Sequence, residues 1–379
     1  MTKKSVRYVK PLLLDILLFL LLLCMVLFSK QASLGAALGL KRCAETLVPS
    51  LFPFMALCIF SIQSGFANRI GRLLGPVTRL LFYLPPCAGT TILVGLAGGY
   101  PVGARSIEAL LEENQITKEQ AHRMLFFCVG AGPAFVISAV GVVMLGSLTA
   151  GVLLFCAQAG CALLIGILLG LYARRKKYPL HHVLQQEKIR RLPVAEALVR
   201  STEQAATSTI VMCAFVILFS TLLGIMEQLG IPSFLERTFY AAGLSPLAAN
   251  AGFQLLFEVT AGVSASAAAG PWSLFLISLS LGWAGLSVHF QIYSSLPNLK
   301  ISYGRFMLAR LCHGLLAAGV TLLLFHCMPN VAIDAVAPIM PPLESRFYSG
   351  VPFGIALLFM CGLFLLCLPK KGLETSAKT

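Results

Sequence analysis

Apolar runs of about twenty residues, the length a helix needs to cross a bilayer, recur along the whole chain and are separated by short polar stretches rich in Lys and Arg. The pattern predicts membrane spans at Pro11–Phe28, Leu47–Gly65, Met124–Leu145, Thr149–Tyr172, Ala205–Met226, Trp272–Phe290, Phe306–Met328 and Val351–Leu368. Two apolar stretches fit no such helix: YLPPCAGTTILVGLAGGYPVGA, from Tyr83 to Ala104, and NAGFQLLFEVTAGVSASAAAGP, from Asn250 to Pro271. Pro and Gly free backbone groups from helical pairing. At membrane depth such groups are tolerated only where protein or a wet cavity surrounds them.

Basic side chains set the orientation, because Lys and Arg accumulate on the cytoplasmic side of short loops. The start MTKKSVRYVK, the cluster Arg69, Arg72 and Arg79, and RRKKYPLHHVLQQEKIRR (Arg174–Arg191) are therefore read as cytoplasmic. The first span resembles a signal peptide but has no clean small-x-small cleavage site after it, so an uncleaved anchor is expected. Ser29–Thr46 would then be an outer connection. Two spans between Arg105–Arg123 and the basic loop put Arg105–Arg123 inside, so Tyr83–Ala104 enters and leaves on one side. By the same logic Asn250–Pro271 re-enters from outside, leaving Lys300 and Arg305 within. The expected fold is an all-α polytopic membrane protein with about eight transmembrane helices and two re-entrant hairpins, both termini cytoplasmic.

ETLVPS at Glu45 and EALVRS at Glu196 open two stretches with the same order: a span, a broken segment, then a Gly-rich span. Their opposite entry sides make this an inverted-topology repeat, with a solute site expected at the midplane between hairpin tips. The divisions are an anchor at 1–33, a first repeat at 34–173 with its hairpin on the cytoplasmic side, a basic loop at 174–195, a second repeat at 196–328 with its hairpin on the outer side, and 329–379 with an outer loop, a last span and a cytoplasmic tail.

Composition changes this little. The chain of 379 residues is 58% hydrophobic and 12% charged, and its net charge of +14 sits beside the spans, with no basic–aromatic groove for nucleic acid. The twelve Cys form no C-x-x-C and lie mostly in apolar runs, as small packing residues. No H-E-x-x-H, G-x-S-x-G or Walker A loop occurs. No metal, cofactor or catalytic residue is expected, and an intramembrane enzyme would have to press Glu258 and His289 into service.

GLAGGYPVGA (Gly95–Ala104), ALLEENQITKEQAHRML and FFCVGAGPAF resemble the nucleoside-recognition or Gate domain family, and the order of elements is similar to its YlbJ-like sporulation integral membrane proteins. The resemblance runs from about Leu34 to Phe325. It implies an architecture like that of concentrative nucleoside transporters, a place in the cell membrane of a sporulating bacterium, and a role in spore cortex formation. It also brings Gly130, Gly132 and Pro133 into the candidate site. One departure is local: Val129, Gly130 and Ala131 stand where family members often carry Asn.

The candidate solute-binding residues are Gly98, Gly99, Tyr100, Pro101, Gly103, Gly130, Gly132, Pro133, Gln254, Glu258, Thr260 and Gly262. Glycines allow close backbone approach, Pro101 stops helix propagation, and Tyr100 is placed to stack on a solute. The alternative for this stretch is helix packing through small residues. Glu258 is the only acid of the second broken segment, and an intramembrane charge at roughly 2.5–3.5 kcal/mol on insertion scales normally faces a cavity or partner. With His289, near Gln291, it forms a candidate proton relay, against the reading of both as structural. Arg310 and His313, three apart, are expected to face the bundle interior in a structural role. Thr117 and Gln120 have capping-box spacing. Expected partners are a small polar solute and membrane lipid, with a second copy of the chain and other sporulation membrane proteins left open. A transporter is the favoured reading and a morphogenetic scaffold the alternative.

Overall fold

The computed structural model describes residues 3–178, 192–233, 237, 243, 245–328 and 331. The expected last span and nearly all of the outer loop before it lie outside these residues, as does the body of the basic loop. Every regular element among the described residues is helical.

Helix α1 (Lys3–Leu27) is followed almost directly by α2, a continuous run from Ser29 to Gln63. The expected outer connection at Ser29–Thr46 is thus overturned. Its small residues pack instead: a Cβ on Gly35 would lie 2.4 Å from the Ser220 carbonyl oxygen, and Gly39 meets Ile217 and Ser220. Tight packing on the later helix α9 (Val194–Gln228) outweighs the weak helix propensity of glycine. Arg42, read as part of that outer connection, donates to the Ser220 hydroxyl within this interface.

After α3 (Phe66–Leu73) the chain enters the first broken segment as α4 (Ala88–Gly98) and α5 (Tyr100–Glu112). These arms fold back on each other, so that a Cβ on Gly103 would be 3.3 Å from the Gly95 Cα. The short α6 (Lys118–Leu125) begins with the expected capping box, Thr117 and Gln120 exchanging both bonds. Met124–Leu145, expected as one span, is not one. The backbone leaves the helix after Leu125 and resumes as α7 (Ala134–Met144), a wide π-type turn run. Pro133 has no N–H to give a preceding turn. Helix α8 (Leu148–Arg175) completes this half.

After the basic loop come long α9, a pair α10 (Pro246–Phe257) and α11 (Val259–Ala267), a second pair α12 (Ser273–Trp283) and α13 (Gly285–Ser294), then long α14 (Tyr303–Cys327). The expected span Trp272–Phe290 is therefore also interrupted, at Ala284, whose φ is +75°. Among the described residues, five stretches are long and apolar enough to cross a membrane: Ser29–Gln63, Leu148–Arg175, Val194–Gln228, Gly270–Ser294 and Tyr303–Cys327.

Helices α12 and α14 touch where Gly282 crosses Gly314, and a Cβ on Gly282 would stand 2.2 Å from the Gly314 Cα. The obstruction is backbone, which no rotamer change relieves. Gly282→Ala is expected to destabilise the protein by about 1–3 kcal/mol, the range for overpacking, measured as a lower unfolding midpoint in detergent.

Candidate functional site

Each helix break leaves amides and carbonyls without partners inside an apolar bundle, and those groups must be satisfied locally. Where they find partners defines the site. Four breaks converge: Gly99, residues 126–133, Glu258, and Ala284 with Gly285. Within the first half, Gly132 packs against the backbone of Ala97 and Gly99. Gly99 has φ +81° and ψ −174°, a region almost reserved for glycine. Within the second half, Gly285 sits against the amides of Glu258 and Val259.

Side chains then satisfy the freed carbonyls, most of them across the two halves. The break at Ala284 frees the last carbonyls of α12. The Tyr100 hydroxyl, at the first tip, donates to the Leu281 carbonyl at 2.6 Å. His289 Nε2 donates to the Trp283 carbonyl at 2.8 Å, and its ring lies between Trp283 and Phe306. The break after Leu125 frees the Val129 carbonyl, which accepts from Arg310 Nη1 at 2.7 Å. Nearby, Gln158 Nε2 donates to Ser278 at the carbonyl (2.8 Å) and the hydroxyl (3.0 Å), and His313 Nε2 donates to the Gln158 carbonyl at 3.1 Å.

Glu258 is fully buried. It caps α11: one carboxylate oxygen accepts from the Thr260 amide at 3.0 Å, the other from the Ala261 amide at 2.6 Å and from the Thr260 hydroxyl. A carboxylate at a helix N-terminus is stabilised by the positive end of the helix dipole. Both oxygens are engaged, and no hydrogen bond among the described residues joins Glu258 to His289.

Arg310 is fully buried as well, with its guanidinium 5.8 Å from the centre of the Tyr100 ring. No carboxylate among the described residues pairs with it. Its Nε and Nη2 have no hydrogen-bond partner. The sequence placed Arg310 inside the bundle, where it is, but gave no reason to link it to the tips. The available signal was its isolation, as the only charged side chain between Phe306 and Met328.

Between the tips and the flanking helices α2 and α9 lies a cavity of about 40 Å³. Of the sequence candidates, Gly98, Gly99, Tyr100, Pro101, Gly132, Glu258 and Thr260 line it, with Gln291. The others stand behind it. Gly103 packs on the Cys128 carbonyl and Gly262 on Leu255, closing the two folded-back pairs. Gln254 donates to Asn250 within α10. Pro133 starts α7, and Gly130 has open space where its Cβ would be. Removing the Tyr100 hydroxyl leaves a buried carbonyl unpaired, so Tyr100→Phe is expected to cost about 1–3 kcal/mol of stability. A thermal unfolding shift in detergent reads this directly.

Helical throughout its described residues and multi-pass, with helices broken where they meet in its interior, the chain is an integral membrane protein. It is similar to the sporulation integral membrane protein YlbJ of Bacillus subtilis (strain 168), at 29% identity over 356 residues that cover 87% of each chain. The likeness therefore extends through both halves. No family model matches the chain, and no solved structure matches it.

Proposed function

We propose that this protein is a secondary transporter of sporulation membranes, moving a small polar solute with an anionic group by alternating access. The observation that carries the reading is Arg310: a buried guanidinium with two unpartnered nitrogens, Nε and Nη2, beside the tip residue Tyr100 and the unwound backbone at Val129. Irregular backbone and intramembrane charge are expensive, and their convergence at one place is the usual mark of a transport site. In this reading the two folded-back pairs are re-entrant hairpins entering from opposite faces of an inverted repeat, with both termini cytoplasmic. The Gate-family resemblance implies a nucleoside-like solute and a role in cortex formation, and the likeness to a sporulation integral membrane protein supports a place in sporulation. The unpaired guanidinium favours a carboxylate or phosphate on the solute, since planar donors in a fork match such groups.

Cavities that hold small molecules usually measure about 300–1,000 Å³. In this reading the cavity, at about 40 Å³, belongs to a closed state whose tips part to admit a solute. Glu258 and His289 remain candidate coupling groups, with Glu258 acting through its cap. A morphogenetic scaffold that moves nothing is the alternative.

A thermal-shift screen of the purified protein against nucleosides, amino acids, organic acids and peptidoglycan precursors separates the two. The expected result is stabilisation by anionic members, absent in Arg310→Lys. A scaffold would give no hit that depends on Arg310.

A further inference from the structure

A second set of contacts between the halves lies away from the tips, on the basic face of the molecule. Arg123 donates to the carbonyls of Phe82 (3.2 Å) and Tyr83 (3.0 Å), and Arg174 donates to that of Leu80 at 2.5 Å, which places the ends of α6 and α8 together there. The positive-inside rule makes this face cytoplasmic. Here the turn between α13 and α14 is held at two points by the first half. Glu108 of α5 accepts from both the amide (3.1 Å) and the side-chain Nδ2 (2.6 Å) of Asn298 through a single carboxylate oxygen. Glu112, one turn on, adds a longer contact of 3.3 Å. The His122 ring of α6 lies with Nδ1 2.7 Å from the Lys118 carbonyl and Nε2 3.0 Å from the Lys300 carbonyl, within hydrogen-bond reach of the turn.

These contacts join the elements that carry the tip and the lining of the cavity. Helix α5 begins at the tip, at Tyr100, and carries Glu108 two turns below it. The turn at Asn298 connects α13, whose Gln291 lines the cavity, to α14, which carries Arg310. The grip is also incomplete. Glu108 is 7% exposed, and its second oxygen has no partner. A buried acceptor left unsatisfied weakens the state that contains it. A cleft of about 570 Å³, lined in part by Glu112, Thr117, Lys118 and Asn298, brings solvent to the edge of the contact. Charge, geometry and solvent access fit a contact that releases.

We propose that Glu108 and His122 clasp the turn at Asn298–Lys300 as the cytoplasmic gate, and that the clasp must open before the cavity between the tips can reach the cytoplasm. The proposal rests on the transporter reading above. Its test needs no solute, so the two can fail separately.

The test follows Cys128, 1% exposed and adjoining Val129 in the first unwound segment. A membrane-impermeant maleimide is applied to the protein in sealed inside-out vesicles, whose outer surface is the cytoplasmic face, and modification of each Cys is quantified by peptide mass spectrometry. Asn298→Ala is expected to raise the rate at Cys128 about tenfold, the scale of losing one charge-assisted contact. Cys161, 3% exposed in α8, should not change. In the doubly substituted Glu108→Cys, Asn298→Cys protein, oxidation to a crosslink should lower the Cys128 rate below that of the wild type, and reduction should restore it. An unchanged Cys128 rate in folded Asn298→Ala, or an equal rise at Cys161, overturns the clasp. So does a crosslinked protein whose Cys128 rate equals that of the wild type, and this arm decides the matter if Asn298→Ala does not fold.

Discussion

Replacing Arg310 with Lys is expected to lower uptake of the transported solute about 100-fold or more while the protein still inserts and folds. The substitution keeps the positive charge and removes the planar fork. Three contacts depend on that fork: the bond to the Val129 carbonyl, the position over the Tyr100 ring, and the two donors left free for an anion. A hydrogen bond to a charged group is worth about 1.5–3 kcal/mol, so loss of two reaches that factor. Initial rates in proteoliposomes measure it, with the unfolding midpoint as the control for folding. A Lys variant that transports at the wild-type rate would mean that the free donors of Arg310 hold no solute.

The second large effect is expected at Glu258, and it falls on stability first. Glu258→Ala strips the cap from α11 and leaves the amides of Thr260 and Ala261, with the Thr260 hydroxyl, facing nothing. A lost N-cap costs about 0.5–2 kcal/mol, and buried donors without acceptors add about 1–3 kcal/mol. Glu258→Asp retains a good capping group and should recover most of the loss. Unfolding midpoints of the two variants distinguish a cap from a solute contact. A cap predicts low stability in Glu258→Ala and near-normal behaviour in Glu258→Asp. An unchanged midpoint in Glu258→Ala would refute the cap.

The broken segments were legible from sequence because Gly99 and Pro101, and the lone acid Glu258 in the second, interrupt what would otherwise be continuous apolar helices. The capping box at Thr117 was legible for a similar reason, since it is a local pattern with local partners. Other features depend on contacts distant in sequence. Ser29–Thr46 reads as a polar connection until Ser220 of α9 is placed against Gly35 and Gly39. The break at Ala284 carries no proline; its αL residue is a buried alanine, and it is the next residue, Gly285, that packs against the Glu258 break. Met124–Leu145 is apolar enough to span, and its Gly-rich centre reads equally well as helix packing. Arg310 was expected in the interior, but its partners are a carbonyl freed by that unpredicted break and a ring at the tip of the other half. The sequence pattern therefore located two of the four interruptions, but neither the other two nor the cross-half bonds that turn all four into one site.

Proteoliposome uptake of a mixed pool of organic acids, phosphate esters and nucleosides, read by mass spectrometry, tests the central claim most directly. The expected result is saturable entry of at least one anionic solute by the wild-type protein and its loss in Arg310→Lys. Entry no greater than into empty liposomes, or uptake that persists unchanged in Arg310→Lys, would contradict it.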